Sequence, residues 1–230
     1  MLELLAQAGR DVERDHPHLR VHTRLVDGSP GGVLVAASRD AELLVVGHRG
    51  LGGFTGLLAG SVGIQAAGHA HCPVVVVRGE VGSADAPVVL GVDGSPGARA
   101  AADAAFAQAQ HRRAELLVVH HQSPHTSRVQ AEAVVAGHDP RLFTVDGFAV
   151  SVRGVAERYA DVKWRTEVVH GDSAATALMA VADSTGAGLL VVGSRGVGGF
   201  RATVMGSTSR TLIEHAPCPV MVVPPAVHPA

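Results

Sequence analysis

A chain of 230 residues that is 47% hydrophobic and 17% charged carries enough apolar material for a buried core and lies outside the disordered class. Its 19 basic and 21 acidic side chains leave a formal net charge of −2, which argues against gripping nucleic acid or an anionic membrane by bulk charge. Every basic residue except Lys163 is Arg, and Lys163 follows Val162, so a Walker A phosphate loop with its Gly-Lys-Ser/Thr is excluded. One Trp and one Tyr provide no stacking platform for single-stranded nucleic acid. Two cysteines are too few for a disulfide scaffold, and neither a membrane-spanning run nor a signal-peptide layout is present, so a cytoplasmic location is expected.

In chain order, the hydrophobic pattern predicts a helix over Met1–Asp15, a strand over Val21–Val26, a helix over Val33–Ser38 and a strand over Leu43–Val46. A Gly-rich loop, a further helix and a strand over Val74–Val77 follow, and a polar linker covers about Gly79–Ala86. Pro87–Val92 is a short apolar run ending at Asp93-Gly94-Ser95-Pro96, a strand and its turn. Next come an Ala-rich helix over Ala98–Gln110 and a strand over Glu115–His120. The segment Ser127–Tyr159 is expected to be mostly helical, broken near Gly137–Pro140. Lys163–Val169 (strand), Ser173–Asp183 (helix), Leu189–Val192 (strand), Ser207–His215 (helix) and Val220–Val223 (strand) complete the chain. Strands that are continuous apolar runs alternating with helices indicate a parallel sheet covered on both faces.

Leu43–Val77 and Leu189–Val223 align without a gap at an offset of 146, with 19 of 35 positions identical. The second copy is the complete unit. The first lacks counterparts of its first strand, first helix and second strand, so the predicted Val21–Val26 strand has lost its neighbours and must re-pair or be loosely held. Val26-Asp27-Gly28-Ser29-Pro30 repeats Val92-Asp93-Gly94-Ser95-Pro96. Asp27, however, is only 20 residues before Gly47, where Asp93 is 100 before Gly193. Asp27 therefore belongs at the end of the third strand, the counterpart of Gly171-Asp172-Ser173.

In each copy an apolar strand runs into a loop of spacing Gly-x2-Gly-x9-Gly-Ser, and a helix starts at its end: Gly193, Gly196, Gly206 and Ser207, and likewise Gly47, Gly50, Gly60 and Ser61. Glycines let main-chain N–H groups approach a ligand, and a helix N-terminus behind them suits phosphate. Arg195 and Arg49 sit where a guanidinium could reach that phosphate. In an open parallel sheet, ligands bind beyond the carboxyl ends of the strands where the strand order reverses, the edge to which Asp93 and the Gly193 loop both belong.

These residues resemble the universal stress proteins in tandem form, over about residues 1–79 and 87–224, and the Gly-x2-Gly-x9-Gly-Ser spacing resembles the members that bind ATP. The resemblance implies a Rossmann-like, open, five-stranded parallel sheet of order 3-2-1-4-5 with helices on both faces, in one complete copy (87–224) and one partial copy (1–79). It implies ATP, with or without Mg, as the ligand. Asp93 would hold the adenine edge, with backbone near Gly91, Val92 and His121 around the base. Gly193, Arg195, Gly196, Gly206, Ser207, Thr208 and Ser209 would surround the ribose and phosphates. Gly47, Arg49, Gly50, Gly60 and Ser61 would form a second phosphate loop, with poor ATP binding expected there because the Asp-bearing strand is missing. Pairing through the last strands, 74–77 and 220–223, within the chain or in a homodimer, is also implied.

Other chemistry is thinly equipped. His69-x-His71-Cys72 is broken in the second copy as His215-Ala216-Pro217-Cys218, so no metal site is expected. His120 and His121 read as pocket wall, and Cys72 and Cys218 as buried small residues. No nucleophile elbow, zinc-protease motif or paired-metal carboxylate cluster is present, and no catalytic residue is assigned. The expected role is an ATP-dependent sensor or regulator in stress response. The alternatives are a slow ATPase or autophosphorylation on Ser207, Thr208 or Ser209, and a nucleotide-free dimerisation scaffold.

Overall fold

The computed structural model describes residues 2–48, 60–79, 82–122, 152–196 and 205–225. The first copy supplies α1 (Leu2–Asp15), α2 (Pro30–Ala37), β1 (Leu44–Gly47), α3 (Ser61–His69) and β2 (Val74–Val77). The second supplies β3 (Val88–Val92), α4 (Pro96–Arg112), β4 (Leu116–Gln122), β5 (Trp164–His170), α5 (Ala174–Thr185), β6 (Leu189–Gly193), α6 (Ser207–His215) and β7 (Val220–Val223). Residues 152–156 are also helical and 157–158 form a turn; residues 127–151 of the expected helical stretch, with its break near Gly137–Pro140, lie outside the described residues.

The helix boundaries follow local chemistry. Ser95 caps α4, its hydroxyl accepting the Ala98 N–H (3.2 Å), and Pro96 opens the first turn, where no intrahelical donor is missed. Ser173 does the same for α5 through Thr176 N–H (3.1 Å), and Gly186 ends that helix in the left-handed region, at φ 63°.

All seven strands join one sheet of order β1-β2-β7-β6-β3-β4-β5. This corrects the expectation of a five-stranded sheet: the two copies do not keep separate sheets, because their last strands pair with each other. Val74, Val75 and Val76 stand opposite Val222, Met221 and Val220 in the only antiparallel pairing among the described strands. The implied pairing of 74–77 with 220–223 is therefore made within the chain. The five strands of the second copy occupy the other side in the order β5-β4-β3-β6-β7, all parallel.

A second correction concerns Val21–Val26, which forms no strand. Strand propensity alone does not hold an extended segment; it needs a ladder partner and a face to bury. Its counterpart β5 pairs with β4 along seven residues, and no described strand stands beside residues 21–26. Leu25 and Val26 accordingly remain exposed.

Two apolar layers flank the sheet. On one face Val46, Val192, Leu190 and Val220 pack with Ala66 and Ala67 of α3, Leu178 and Ala182 of α5, and Leu212 and Ile213 of α6. On the other, the Ala-rich stripe of α4 lets the helix lie close on Val88, Leu90, Val118 and Val191, with Phe106 at its centre. The Phe106 ring is fully buried between Tyr159 (centroids 5.7 Å) and Trp164 (5.9 Å). That burial contributes roughly 1.5–3 kcal/mol and anchors α4 over the strands that carry the candidate site.

Candidate functional site

Chain direction sets the location. The path leaves β3 toward β4 and β5 on one side of the sheet and returns to β6 and β7 on the other, so the order reverses between β3 and β6. These neighbours are parallel, with Val88, Val89 and Leu90 opposite Leu189, Leu190 and Val191. Asp93, just past β3, and Gly193, at the end of β6, therefore emerge at the same edge, the position where open sheets of this kind bind ligands.

The two loops lie against each other. Asp93 Oδ1 accepts the Ser95 N–H (3.0 Å), an Asx-type turn that fixes the carboxylate ahead of α4. Its Oδ2 lies over Gly196, where a β-carbon would collide with it. Gly97 meets the same loop from the α4 side: a β-carbon there would stand 2.9 Å from the Arg195 carbonyl. The Ser95 hydroxyl makes a long contact with that carbonyl oxygen (3.5 Å). Glycine at 196 is thus required by close approach, with no left-handed backbone involved.

The loop after β6 is closed at its base by three bonds. Ser194 N–H donates to the Val223 carbonyl (2.8 Å), and Gly206 N–H donates back to the Ser194 carbonyl (2.8 Å). The Ser209 hydroxyl donates to the Gly193 carbonyl (2.7 Å). Gly206 stands at the N-cap of α6 without a side chain to cap it, so the first-turn amides are not covered by a capping group. Ser207 is exposed and Thr208 half-buried beside them, whereas Ser209 is buried and its hydroxyl is committed to the strand end.

Next to Asp93, the Val92 carbonyl accepts from Nδ1 of His120 (3.0 Å), which assigns the ring proton to Nδ1. Burial holds the His120 pKa below the ordinary imidazole value, the Val92 bond and the Asp93 charge opposing that shift, so the ring is neutral near pH 7. His121 Nε2 donates to the Gly171 carbonyl (2.8 Å), tying the end of β4 to the loop before α5. Gly91 lies inside β3, where a β-carbon would meet Leu178 of α5 at 2.8 Å, so its identity has a packing reason.

The structure thus brings together Asp93, Arg195 and Gly196, with Gly193, Gly206, Ser207 and Thr208 along one edge and Val92 and His121 beside them. Ser95, Gly97 and Ser194 belong to the same constellation and were missed by sequence reasoning. A glycine two residues into a helix, in Ser95-Pro96-Gly97, was the available sign of a close approach.

The first copy reproduces the base of the loop at the same offset of 146. His48 N–H donates to the Val77 carbonyl (3.0 Å), and Gly60 N–H to the His48 carbonyl (2.7 Å). Arg49 and Gly50 lie outside the described residues; Gly47 ends β1, and Ser61 opens α3 behind Gly60 at the N-cap. Two parts of the second-copy arrangement are missing. Gly63 replaces Ser209, so no hydroxyl reaches Gly47, and among the described residues β1 pairs only with β2, leaving no strand to present a carboxylate beside the loop. Asp27 stands instead just before Ser29, the N-cap of α2.

No group of three or more His, Cys, Asp or Glu side chains among the described residues could hold a metal ion, and no described helix is long and apolar enough to cross a membrane.

Comparison with known proteins agrees with this architecture. The sequence profile described as "Universal stress protein family" matches residues 2–78 and 86–224. A universal stress protein of Mycolicibacterium smegmatis is 35% identical over 215 residues, covering 90% of this chain and 70% of its own length. The universal stress protein Rv2623 of Mycobacterium tuberculosis is 36% identical over 206 residues, covering 88% and 68%. The crystal structure of a universal stress protein from Archaeoglobus fulgidus superposes with a TM-score of 0.69 across 97% of this chain and 77% of its own, at 22% identity, which establishes likeness of fold. With the profile matched across both copies and relatives above 30% identity along most of its length, this chain belongs to the universal stress protein family.

Proposed function

We propose that the second copy, residues 87–224, binds ATP in the crevice between the end of β3 and the start of α6, and that the protein is a nucleotide-dependent sensor or regulator in stress response. The observation that carries this reading is the contact of the Asp93 carboxylate with the loop at Gly196, exactly at the reversal of strand order. A carboxylate on one loop and uncapped helix amides behind the other are the two chemistries a purine nucleotide needs at its opposite ends. In this reading Asp93 accepts from the purine edge, with the Val92 backbone, the Gly91 end of β3 and His121 around the base. Gly193, Arg195, Gly196, Gly206, Ser207 and Thr208 surround the ribose and phosphates. Ser209 holds the loop rather than the ligand, since its hydroxyl already serves the Gly193 carbonyl.

The first copy, residues 1–79, is read as a structural half-repeat. Gly47, Gly60 and Ser61 keep the loop base, with Arg49 and Gly50 between them in sequence, but none of the described residues stands where Asp93 stands in the second copy. Mg would accompany the phosphates rather than occupy a protein site.

A ligand that binds only the folded state stabilises it by RT ln(1 + [L]/Kd), about 2.7 kcal/mol at a hundredfold excess over Kd. Thermal denaturation with ATP, ADP, AMP and GTP, with and without Mg, tests the reading. A rise with adenine nucleotides that Asp93→Ala abolishes is expected; an unchanged midpoint at millimolar Mg-ATP would overturn it.

A further inference from the structure

The last turn of α6 needs a donor that its own backbone does not supply. The helical partner of the Ile213 carbonyl would be the N–H of residue 217, and residue 217 is proline. The Ala216 N–H is already given to the Leu212 carbonyl (2.9 Å). The donor comes instead from the other copy. Arg78, directly after β2, donates from Nη1 to the Ile213 carbonyl (2.7 Å) and makes a longer contact with the Leu212 carbonyl (3.5 Å). A guanidinium at a helix C-terminus brings both the hydrogen bond and the positive charge that this end of the helix attracts.

The sheet delivers Arg78 to that place. The antiparallel register of β2 and β7 pairs Val76 with Val220, which sets residue 78 across from Cys218, in the link between α6 and β7. Gly79 follows in the left-handed region (φ 60°), pressed so closely on the Pro217 carbonyl that no β-carbon would fit. The arrangement is one-sided. At the offset of 146, Arg78 and Gly79 correspond to Pro224 and Pro225, neither of which carries a side-chain donor for α3. Pro217 corresponds to His71, which keeps its N–H and donates it to the Ser38 hydroxyl (2.9 Å). Thus the copy with proline at the helix end receives an arginine, and the copy that supplies the arginine has no proline there.

We infer that Arg78 is a positioning residue for the phosphate end of the second copy's site, so that the first copy takes part in binding without touching the ligand. The inference rests on the reading of that crevice as a nucleotide site. With only nine residues, α6 moves as one short rod, and it is held at both ends. At its start the Ser209 hydroxyl ties it to the Gly193 carbonyl (2.7 Å), and at its finish Arg78 ties it to β2. Release of the far end shifts the Gly206–Thr208 amides that face the phosphates. The purine side stands on β3 at Asp93, which Arg78 does not reach through α6. Loss of Arg78 therefore acts on the phosphates and spares the base.

The test compares the full chain with Arg78→Met, which keeps the bulk but removes charge and donors, and Arg78→Lys, which keeps a charged donor. Titration calorimetry with ATP and with adenosine reads the two ends of the site separately. Arg78→Met is expected to weaken ATP by roughly fivefold or more, the lower range of coupling between distinct sites, and to leave adenosine unchanged. Arg78→Lys should recover most of the loss. In the nucleotide-free protein, the amide resonances of 207–209 should move in Arg78→Met and return in Arg78→Lys, while those of 93–97 hold. Equal weakening of ATP and adenosine, the outcome of a general loosening of the fold, would overturn the inference. So would an Arg78→Met chain with unchanged ATP affinity or unmoved 207–209 resonances. A parent chain that binds neither ligand would overturn the nucleotide reading itself, and the inference with it.

Discussion

Gly196→Ala is the most discriminating substitution in the site. The added methyl would run into Asp93 Oδ2, and because Oδ1 is held by the Ser95 N–H, the carboxylate cannot move without giving up that bond. Forcing a methyl into a packed contact costs about 1–3 kcal/mol, and losing a hydrogen bond to a charged group costs about 1.5–3 kcal/mol. Against either route, replacing Gly by Ala recovers about 0.4–1 kcal/mol by restricting the unfolded chain. A net loss of about 2 kcal/mol follows, which for a chain of this size lowers the melting midpoint by roughly 4–8 °C. Gly206→Ala is the matched control: its nearest neighbour is the Ser194 carbonyl oxygen at 3.5 Å, an ordinary contact, so only the modest N-cap penalty applies. Urea or thermal denaturation of Gly196→Ala, Asp93→Ala and the double variant forms a cycle that isolates the contact. The cost of Gly196→Ala should largely vanish once Asp93 is Ala. An equal cost in both backgrounds would refute the proposed approach of the two loops.

Four further outcomes are expected. Ser209→Ala should cost about 1–2 kcal/mol by leaving the Gly193 carbonyl without its hydroxyl. Gly63→Ser in the first copy, where a β-carbon has room 3.9 Å from the Gly47 carbonyl oxygen, should cost nothing or stabilise slightly; chemical denaturation compares the two. The lowered pKa of His120 means that the unfolded chain takes up this proton first as pH falls. Stability is therefore lost from about pH 6.5, the unfolded value, down to the folded value, and His120→Asn should flatten the stability–pH curve in that window. Burial pushes the Cys218 thiol up to about 11, the Arg78 charge opposing it, and burial also raises Cys72. Both should react with a disulfide reagent at least tenfold more slowly in the native protein than after unfolding, as followed by absorbance.

The repeat and the strand ends were legible because both are written in adjacent residues: apolar runs such as Leu189–Val192 announce buried strands, and the glycine spacing marks the turn after them. What escaped depended on partners distant in sequence. Val21–Val26 has the composition of a strand, yet it forms none, since no described strand stands beside it to complete a ladder. The pairing of Val75 with Met221, which joins the two copies into one sheet, is encoded by no local pattern and was expected from the family resemblance alone. At the site, Asp93 and the Gly193 loop were readable from their places after apolar strands. The contacts of Ser95 and Gly97 with Arg195 were not, because they arise only when α4 is seated on β6. The turn of Ser209 inward follows in the same way from where α6 begins relative to β6.

The central claim is that the two facing loops of the second copy hold one adenine nucleotide. Titrating ATP into isotopically labelled protein and following backbone amide resonances measures this residue by residue. The amides of 92–97, 193–196 and 206–208 should shift together with one binding constant, while those of 47–48 and 60–63 in the first copy stay in place. Shifts confined to the first copy, or spread evenly over the surface without saturation, would contradict it.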